Sequence, residues 1–487
     1  MTPIQRSLVS PDQADAAGQE AATSSPDRIS AAFTAQKAVM AARRSSFGLA
    51  ERRAALAALA DAIRRHERPL VEALHSDLGR PEAETILIDY LPVLDEIAHA
   101  RRNLRRWMQP RRVRPNLASF GSSGRIVPQP RGVCLIIAPW NAPFALALGP
   151  LVSCLAAGNS AILKPSEMTP ATSALITRLV AVTFPPDLVT VIEGDKTVAE
   201  ALLALPFDHI FFTGSPAVGK IVMTAAAQHL TSVTLELGGK SPVIVGPDAD
   251  LDRAADWITF GKFVNAGQVC IAPDHLFVHA AVKDRFLAAL RARIIRAYGL
   301  GPASPNLSRI VTPAHARRLG DLVADALAKG ARPVLDHGAD AQARGPLLIE
   351  ALTPEMRLDQ EEIFGPILPI IPFDDLSPVI DRINSRDKPL ALYIFDRDTS
   401  RIERILQETT SGGVGINLTM AQFTHTGLPF GGVNSSGIGS GHGAHGFAAF
   451  SHQRAILRNR FMPLPQLFPP YGPRTMRLIR LVKRVLG

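Results

Sequence analysis

From Ile29 onward, apolar residues recur at spacings of three and four, a pattern typical of amphipathic helices. It predicts a helix starting near Ile29 and further helices over 49–66 and 69–74. The pattern changes at 131–138 (RGVCLIIA), a short apolar run with β-branched residues that is bounded by two prolines. Such a run is typical of a buried strand, so we predict that a sheet begins here.

Short strand-like runs and helix-like runs then alternate. Strands are predicted at 160–163, 188–192, 209–213 and 232–237, and helices at 169–182 and 197–203. This alternation predicts βαβ units around a parallel sheet.

A second α/β series follows Gly238 and Gly239, so we place a domain boundary near Gly239. Its predicted elements are strands at 241–245 and 367–372 and helices at 286–298 and 313–329. The stretch 431–446 is dense in Gly, Ser and His and is predicted to be a loop that leads into a strand at 447–457.

The chain has 487 residues, of which 46% are hydrophobic and 20% charged. This is a globular composition, and the length predicts two or more domains because single cores stop growing near roughly 250–300 residues. Collagen-like, disulfide-scaffold and wholly disordered chains are excluded. The three cysteines, Cys134, Cys154 and Cys270, are too few to cross-link such a chain. They favour a reducing, cytoplasmic location.

The net charge of +9 is concentrated in two segments, 101–114 with seven arginines and 475–487 with four basic residues. Solvated helix faces explain such blocks more simply than nucleic-acid binding. No zinc-finger spacing, RNA-binding consensus or basic zipper accompanies them, so we predict no nucleic-acid partner.

Residues 132–163 carry no charge, yet three prolines interrupt them, which favours a buried strand, loop and helix over a membrane span. Residues 1–28 are predicted to be a disordered leader. In the tail, apolar and basic residues would lie on different faces of a helix. Such a helix would bind a membrane surface or pack on the protein itself, and the sequence leaves both open.

Two glycine-rich patterns have the spacing of nucleotide sites. Gly441, Gly443 and Gly446 fit G-x-G-x-x-G, but no strand precedes them. The segment 214–220 (GSPAVGK) fits G-x-x-x-x-G-K, but Ile221 follows where a Ser or Thr would ligate Mg²⁺. What remains is a strand that turns at Gly214 into a helix, where backbone N–H groups would attract a pyrophosphate. An ordinary strand-to-helix turn is the alternative.

Cys270 is the candidate nucleophile, because small and polar neighbours in FVNAGQVCI leave its thiol accessible. An inert core thiol is the alternative, as we expect for Cys134 and Cys154. Glu236, at the end of an apolar strand, would have a raised pKa and act as a general base if it is buried, unless it is a surface carboxylate. Asn141 would stabilise an oxyanion, unless it is a structural turn residue. No metal site is predicted.

These segments resemble the aldehyde dehydrogenase superfamily, in the family's order over roughly residues 30–455. The motifs that carry the resemblance are APWN (138–141), AGNSAILKPSE (157–167), FTGSPAVGK (212–220), LELGGKSP (235–242), GQVC (267–270), EEIFGP (361–366) and LPFGG (428–432). A narrower likeness to the class 3 branch, with its fatty, aromatic and coniferyl aldehyde dehydrogenases, rests on residues 220–242 and on GSGHGAHGFAAFSH (439–452).

The resemblance implies a role for each matched residue. It makes Cys270 the nucleophile, Glu236 the base, and Asn141 an oxyanion donor together with the backbone N–H of Cys270. It implies that the cofactor is NAD or NADP. The residues implied to bind it are Lys164 and Glu167 at the adenosine ribose, Gly214, Ser215 and Gly219 near the pyrophosphate, and Glu362 with Phe364 at the nicotinamide ribose.

The resemblance also implies an α/β, aldehyde dehydrogenase-like fold with a Rossmann-type cofactor domain, an α/β catalytic domain and a small bridging arm. We assign residues 29–111 and 132–238 to the cofactor domain and 239–430 to the catalytic domain. Residues 112–131 and 431–462 would form the arm, and 463–487 the basic amphipathic tail. By analogy the protein would be a homodimer.

The substrate is expected to be an apolar aldehyde, aromatic or medium-to-long aliphatic, because Trp140, Phe423 and Phe430 would line an apolar tunnel. An enzyme that passes the acyl group to coenzyme A is the alternative, but its members usually lack the base that Glu236 supplies. A catalytically inactive binding or structural relative is the third interpretation, although none of the expected residues is missing. The sequence does not choose between NAD and NADP.

Overall fold

A computed structural model describes residues 25–339 and 344–486. The first half of this part contains nine α-helices with bounds α1 Pro26–Ser46, α2 Leu49–Arg65, α3 Glu67–Leu78, α4 Glu82–Thr85, α5 Leu91–Trp107, α6 Pro143–Ala157, α7 Pro170–Thr183, α8 Lys196–Leu203 and α9 Pro216–Gln228. The rest are α10 Leu251–Phe263, α11 Lys283–Tyr298, α12 Pro313–Ala328, α13 Arg357–Gln360, α14 Leu376–Asn384, α15 Thr399–Glu408, α16 Gly443–Ala449 and α17 Pro473–Leu486. Side-chain caps such as Ser25 on α1 and Thr312 on α12 satisfy N–H groups at several helix starts.

The strands are mostly short and buried. They run β1 Arg111–Val113, β2 Ser122–Pro130, β3 Val133–Ile137, β4 Ser160–Lys164, β5 Val189–Val191, β6 His209–Thr213, β7 Ser232–Glu236 and β8 Pro242–Val245. They continue with β9 His275–His279, β10 Arg332–Asp336, β11 Leu347–Glu350, β12 Ile367–Phe373, β13 Ala391–Phe395, β14 Gly413–Ile416, β15 Gly437–Ile438 and β16 Ser451–Asn459.

Three sheets organise the chain. A six-stranded sheet has the order β15-β7-β6-β3-β4-β5 and is parallel apart from β15. A seven-stranded sheet has the order β10-β11-β12-β9-β8-β13-β14 and is parallel apart from β10. A small antiparallel sheet, β1-β2-β16, joins 111–130 to the C-terminal strand. The α/β fold with parallel sheets is therefore confirmed.

Each large sheet is buried between helices, which is why its strands read as continuous apolar runs. Strands β3, β4 and β6 are buried along their whole length. The uncharged stretch 132–163 becomes β3, a loop, α6 and β4. Within the ranges the structure describes, no helix is both long and apolar enough to cross a bilayer.

Two expectations about local structure need correction. Residues 26–28, predicted as leader, open α1, while 1–24 lie outside the described residues. The stretch 431–446, predicted as a loop in the arm, contains β15 and the start of α16. β15 pairs with β7 of the six-stranded sheet, and this close approach depends on Gly437, whose added Cβ would lie 2.4 Å from the Leu235 carbonyl oxygen. Strand β16 accordingly starts at Ser451 rather than 447.

Candidate active site

A cavity of about 760 Å³, including its open mouth, lies where α5 and α6 face the ends of β6 and β7. Both Cys270 and Glu236 line it. The remaining wall is mainly apolar, with Val93, Ala145, Leu146, Phe211, Phe423 and Phe430 among its residues. The structure thus brings a thiol and a carboxylate, 34 positions apart in the sequence, to one mainly apolar space.

Cys270 lies just beyond α10, in a segment that leaves the helix by an unusual backbone path. Asn265, Ala266 and Gly267 all have positive φ, at 50°, 54° and 72°. At Gly267 an added Cβ would lie 2.4 Å from the Gly365 carbonyl oxygen, so only glycine fits there. The Cys270 thiol is half-buried, whereas Cys134 and Cys154 are fully buried.

The surroundings of Cys270 disfavour its thiolate. Burial, followed by the charges of Glu362 and Glu236, raises the pKa of the Cys270 thiol to about 12. The thiol is therefore protonated at neutral pH in this arrangement. A nucleophilic reaction at Cys270 requires a group that accepts this proton as the sulfur attacks.

Glu236 ends β7 and is only 5% exposed. Neither of its carboxylate oxygens has a hydrogen-bond partner among the described residues. Gly441, whose N–H is near, donates that hydrogen to the Phe430 carbonyl (2.7 Å). Burial therefore raises the pKa of Glu236 well above its ordinary value, and Gly441 offsets this only in part. Of the two possibilities given for Glu236, a buried carboxylate or a surface one, the structure has the buried one.

Asn141 is 4% exposed and lies in the loop between β3 and α6. Its carbonyl oxygen accepts hydrogen bonds from the side chains of Asn265 (2.9 Å) and Arg80. Asn265 also donates to the Gln268 carbonyl (3.2 Å), two residues before Cys270. The Asn141 loop and the Cys270 segment are therefore joined by direct side-chain hydrogen bonds.

Several candidate cofactor residues lie at the carboxyl ends of β4 and β6, two parallel strands on either side of β3, and ligands bind at such strand ends in open α/β sheets. Lys164, at the end of β4, is 4% exposed and bonds the Glu167 carboxylate at 2.8 Å. Gly214 follows β6, and its N–H donates to the Glu236 carbonyl at 3.0 Å. The turn at Gly214 and the carboxylate of Glu236 are thus on neighbouring strands.

The turn at Gly214 leads into α9. The Ser215 hydroxyl accepts from the Val218 N–H (3.4 Å) as the helix cap, so this hydroxyl has a structural partner. Gly219 lets α9 approach the sheet, since an added Cβ would lie 2.7 Å from Leu237 Cδ2. A 13-residue helix with its N-terminus beside the strand ends fits a pyrophosphate.

Glu362 and Phe364 lie on a loop between α13 and β12. Glu362 accepts from the Gly239 N–H at 3.1 Å, and an added Cβ on Gly238 would lie 2.4 Å from its Oε2. Burial raises the pKa of Glu362 to about 7. Phe364 has φ 50° and packs edge-on against Trp140, with 5.4 Å between ring centroids.

Trp140 does not line the cavity that holds Cys270 and Glu236, contrary to the expectation for the tunnel. Its ring packs between Phe364 and His315. Phe423 and Phe430 do line the cavity, and their rings pack edge-on with 4.8 Å between the ring centroids.

Sequence reasoning missed several buried polar residues near the site. Arg80, Asp89, Asn265 and Gln268 are all fully buried, and Glu96 lines the cavity with one oxygen unpaired among the described residues. Arg80 stands between Gly79 and Pro81 in a stretch with several charged residues, which is typical of an exposed turn, so the sequence carries no signal for its burial. Asn265 lies in the segment FVNAGQVCI, which was noted only for Cys270. Its positive φ is a further distinguishing feature, but this is visible only in the structure.

Within the described residues, no group of three or more His, Cys, Asp or Glu side chains is arranged to hold a metal ion. The cavity wall includes the Cys270 thiol and the carboxylates of Glu236 and Glu96, whereas Asn141 is not among the residues that line it.

Comparison with known proteins identifies a family. Residues 5–456 match the profile described as "Aldehyde dehydrogenase family". "Aldehyde dehydrogenase family 3 member A2" of Macaca fascicularis is 41% identical over 405 residues, covering 82% of each chain. "Probable coniferyl aldehyde dehydrogenase" of Pseudomonas aeruginosa is 40% identical over 428 residues, covering 87% of this chain and 90% of that protein.

A solved structure is similar over nearly its whole length. "Substrate bound state of Staphylococcus Aureus AldH" superposes with a TM-score of 0.88 and 38% identity, covering 93% of this chain and 99% of that one.

Proposed function

Because the chain belongs to the aldehyde dehydrogenase family, we propose that it oxidises an apolar aldehyde to the carboxylic acid through a covalent intermediate on Cys270. Family membership makes it an NAD- or NADP-dependent oxidoreductase. The observation that carries the finer proposal is that Cys270 and a buried Glu236, unpaired among the described residues, line the same largely apolar cavity.

The first step uses Cys270 and Asn141. The Cys270 sulfur forms a bond to the carbonyl carbon and loses its proton, while the carbonyl π electrons move onto oxygen. Glu236, which lines the same cavity, accepts that proton. Asn141 stabilises the negative oxygen by donating its side-chain N–H, with the backbone N–H of Cys270 as a second donor.

The nicotinamide cofactor, when bound, supplies the acceptor for the aldehyde hydride. Lys164 and Glu167 would hold its adenosine ribose, Gly214, Ser215 and Gly219 its pyrophosphate, and Glu362 with Phe364 its nicotinamide end. The close approach of backbone to the strand ends at Gly214 and Gly219, where an added Cβ would collide with a neighbouring side chain, fits this assignment.

Glu236 first releases to solvent the proton that it took from Cys270, and its carboxylate then acts on water. A thioester on Cys270 is hydrolysed when Glu236 removes a proton from a water molecule, and the acid product leaves as the thiol is restored. A carboxylate whose pKa is raised by burial is suited to this task near neutral pH. Transfer to coenzyme A instead of water would need no such base, so Glu236 favours hydrolysis. The same intact set of residues disfavours a catalytically inactive role.

The substrate is proposed to be aromatic or medium-to-long aliphatic. The cavity wall is mainly apolar, and among the described residues no arginine or lysine lines it. An aldehyde that also carries a carboxylate would therefore enter without a cationic partner.

The experiment measures NADH and NADPH formation by purified protein with benzaldehyde, decanal and succinic semialdehyde. We expect turnover with the two apolar aldehydes, loss of turnover in Cys270→Ala, and unchanged turnover in the control Cys154→Ala. Turnover by Cys270→Ala would reject the covalent mechanism, and a preference for succinic semialdehyde would reject the apolar substrate class.

For quaternary state and location we propose a cytoplasmic homodimer whose C-terminal helix α17 binds anionic membranes. Leu478, Ile479, Leu481 and Val482 are exposed on this helix, and Leu481 is 57% exposed. Arg477, Arg480, Lys483 and Arg484 occupy the other face by helical spacing. Exposed apolar residues beside cations are suited to a negatively charged lipid surface.

Light scattering tests the dimer, and vesicle sedimentation tests the tail. Binding to phosphatidylglycerol vesicles, lost in Leu478→Asp/Leu481→Asp and weakened by salt, is expected. A monomer in solution contradicts the first proposal, and equal sedimentation of both proteins contradicts the second.

A further inference from the structure

Arg80 is a fully buried arginine that follows the end of α3. Its guanidinium pairs with the carboxylate of Asp89 and donates to the carbonyl oxygen of Asn141. Its Nε donates to Oδ1 of Asn265 at 3.3 Å. One cation therefore contacts three separate segments of the chain.

Asp89 extends this arrangement to α6. Its Oδ1 accepts from the backbone N–H groups of Phe144 (3.0 Å) and Ala145 (2.8 Å), in the first turn of that helix. The loop that carries Asn141 is thus held at its carbonyl by Arg80 and just beyond by Asp89. These bonds restrict the backbone from which the Asn141 side chain projects.

Asn265 joins the same group to the Cys270 segment. Its amide nitrogen donates to the carbonyls of Asn141 and Gln268, while the Gln268 side chain donates to the Arg309 carbonyl and accepts from the Val311 N–H, both at 3.0 Å. The two bonds that Asn265 donates are buried, so losing one would leave a polar group without a partner.

We propose that Arg80 is a positioning residue that aims the Asn141 amide at the oxygen of the reacting aldehyde. This rests on the proposed function, in which Asn141 is the oxyanion donor. Arg80 does not line the cavity, and it acts through the Asn141 carbonyl. Its planar, multiply donating group is required because lysine presents one point charge and cannot bond Asp89, Asn265 and Asn141 in fixed directions.

The test is a double-mutant cycle of wild type, Arg80→Lys, Asn141→Ala and the double variant, with Arg43→Lys as the matched control. Lysine keeps the positive charge beside Asp89, so we expect the fold to be retained. Arg43 is also a largely buried arginine in an ion pair (Asp187, 3.2 Å), but it holds α1 near the start of β4, away from the cavity.

We expect Arg80→Lys to lower kcat by about tenfold to hundredfold with KM unchanged within about twofold, because a small misplacement of a donor weakens transition-state binding. In the Asn141→Ala background the same substitution should change kcat by less than about twofold. The deuterium isotope effect with 1-²H-benzaldehyde should rise in Arg80→Lys. Arg43→Lys should leave kcat unchanged.

An equal loss of kcat from Arg80→Lys in both backgrounds would overturn the proposal, because a general loss of folding acts independently of Asn141. Absence of aldehyde oxidation by wild type would instead reject the proposed function. The positioning role is then decided by crystal structures of wild type and Arg80→Lys. A changed Asn141 side-chain direction supports it, and an unchanged one overturns it.

Discussion

Two buried carboxylates, Glu236 and Asp274, have opposite electrostatic surroundings. Glu236 is 5% exposed with no hydrogen-bond partner among the described residues, and burial raises its pKa. Asp274 is 3% exposed, and burial alone would raise its pKa too, but Lys240, His275 and Lys262 hold the pKa well below its usual range. Equal burial therefore leads to opposite protonation behaviour.

The partners of Asp274 explain its structural use. It bonds Lys240 Nζ at 2.6 Å and accepts from the Ile363 N–H at 2.9 Å. Lys240 in turn donates to the carbonyls of Leu358 and Glu361. This cluster fixes the loop that carries Glu362 and Phe364. Glu236, without such bonds, remains free to exchange a proton.

The largest effect should come from removing the unpaired carboxylate. Glu236→Gln should lower kcat by roughly 10²- to 10⁴-fold, the usual contribution of a positioned general base. Steady-state kinetics with benzaldehyde measure it, and rapid mixing separates the two uses of Glu236. A burst of NAD(P)H places the loss in hydrolysis, and its absence places the loss in the attack by Cys270. A near-normal kcat in Glu236→Gln would show that the unpaired carboxylate of Glu236 is not the general base.

Removing the paired carboxylate should act on stability instead. Asp274→Asn leaves Lys240 buried without its counter-charge and should destabilise the fold by about 3–5 kcal/mol. Urea denaturation measures this. Asp250→Asn, which breaks an exposed pair with Arg397, is the control and should cost much less. Equal losses in the two variants would show that burial does not matter here.

The pH dependence of stability sharpens the contrast further. As the pH rises above 4.5, the ordinary pKa of the group, the unfolded chain releases the proton of Glu236 while the folded chain keeps it. Stability is therefore lost as pH rises toward the folded pKa, and Glu236→Gln should remove that loss. For Asp274 the sign is reversed: its contribution is present above the ordinary pKa of 3.8 and is lost as pH falls through the lowered folded pKa.

We expect the Tm advantage of Glu236→Gln over wild type to grow as pH rises from about 5 toward neutral. Differential scanning calorimetry across this range measures it, with Glu72→Gln on the exposed face of α3 as control. A Tm difference that stays constant with pH would contradict the raised pKa of Glu236.

Much of the fold could be predicted from periodicity. Strands β3, β4 and β6 are continuous apolar runs, and the alternation of short strands with helices predicted a parallel sheet. The stretch 443–449 was not predicted as a helix, because it is rich in glycine and its first turn depends on Glu96 accepting the Gly443 N–H at 2.7 Å. That contact spans 347 residues and has no local signal.

The site was predictable only in its reactive groups. Cys270, Glu236 and Asn141 stand in short stretches of distinctive composition, and their mechanistic roles stay predictions. Arg80, in the turn after α3, and Asp89 carry no such mark, because the sequence does not distinguish a buried charged residue from an exposed one. The prediction that Trp140 lines the tunnel was wrong, because the aromatic character of a residue does not tell which cavity its ring faces.

The order of apolar and polar residues by itself determined the strands, most helices and the identity of the thiol, carboxylate and amide, since these depend on neighbours within a few positions. Tertiary structure alone decided which carboxylate is paired, where Trp140 packs, and that Arg80 bonds the Asn141 carbonyl. These depend on residues separated by tens to hundreds of positions, whose distance and dielectric surroundings exist only once the chain has folded.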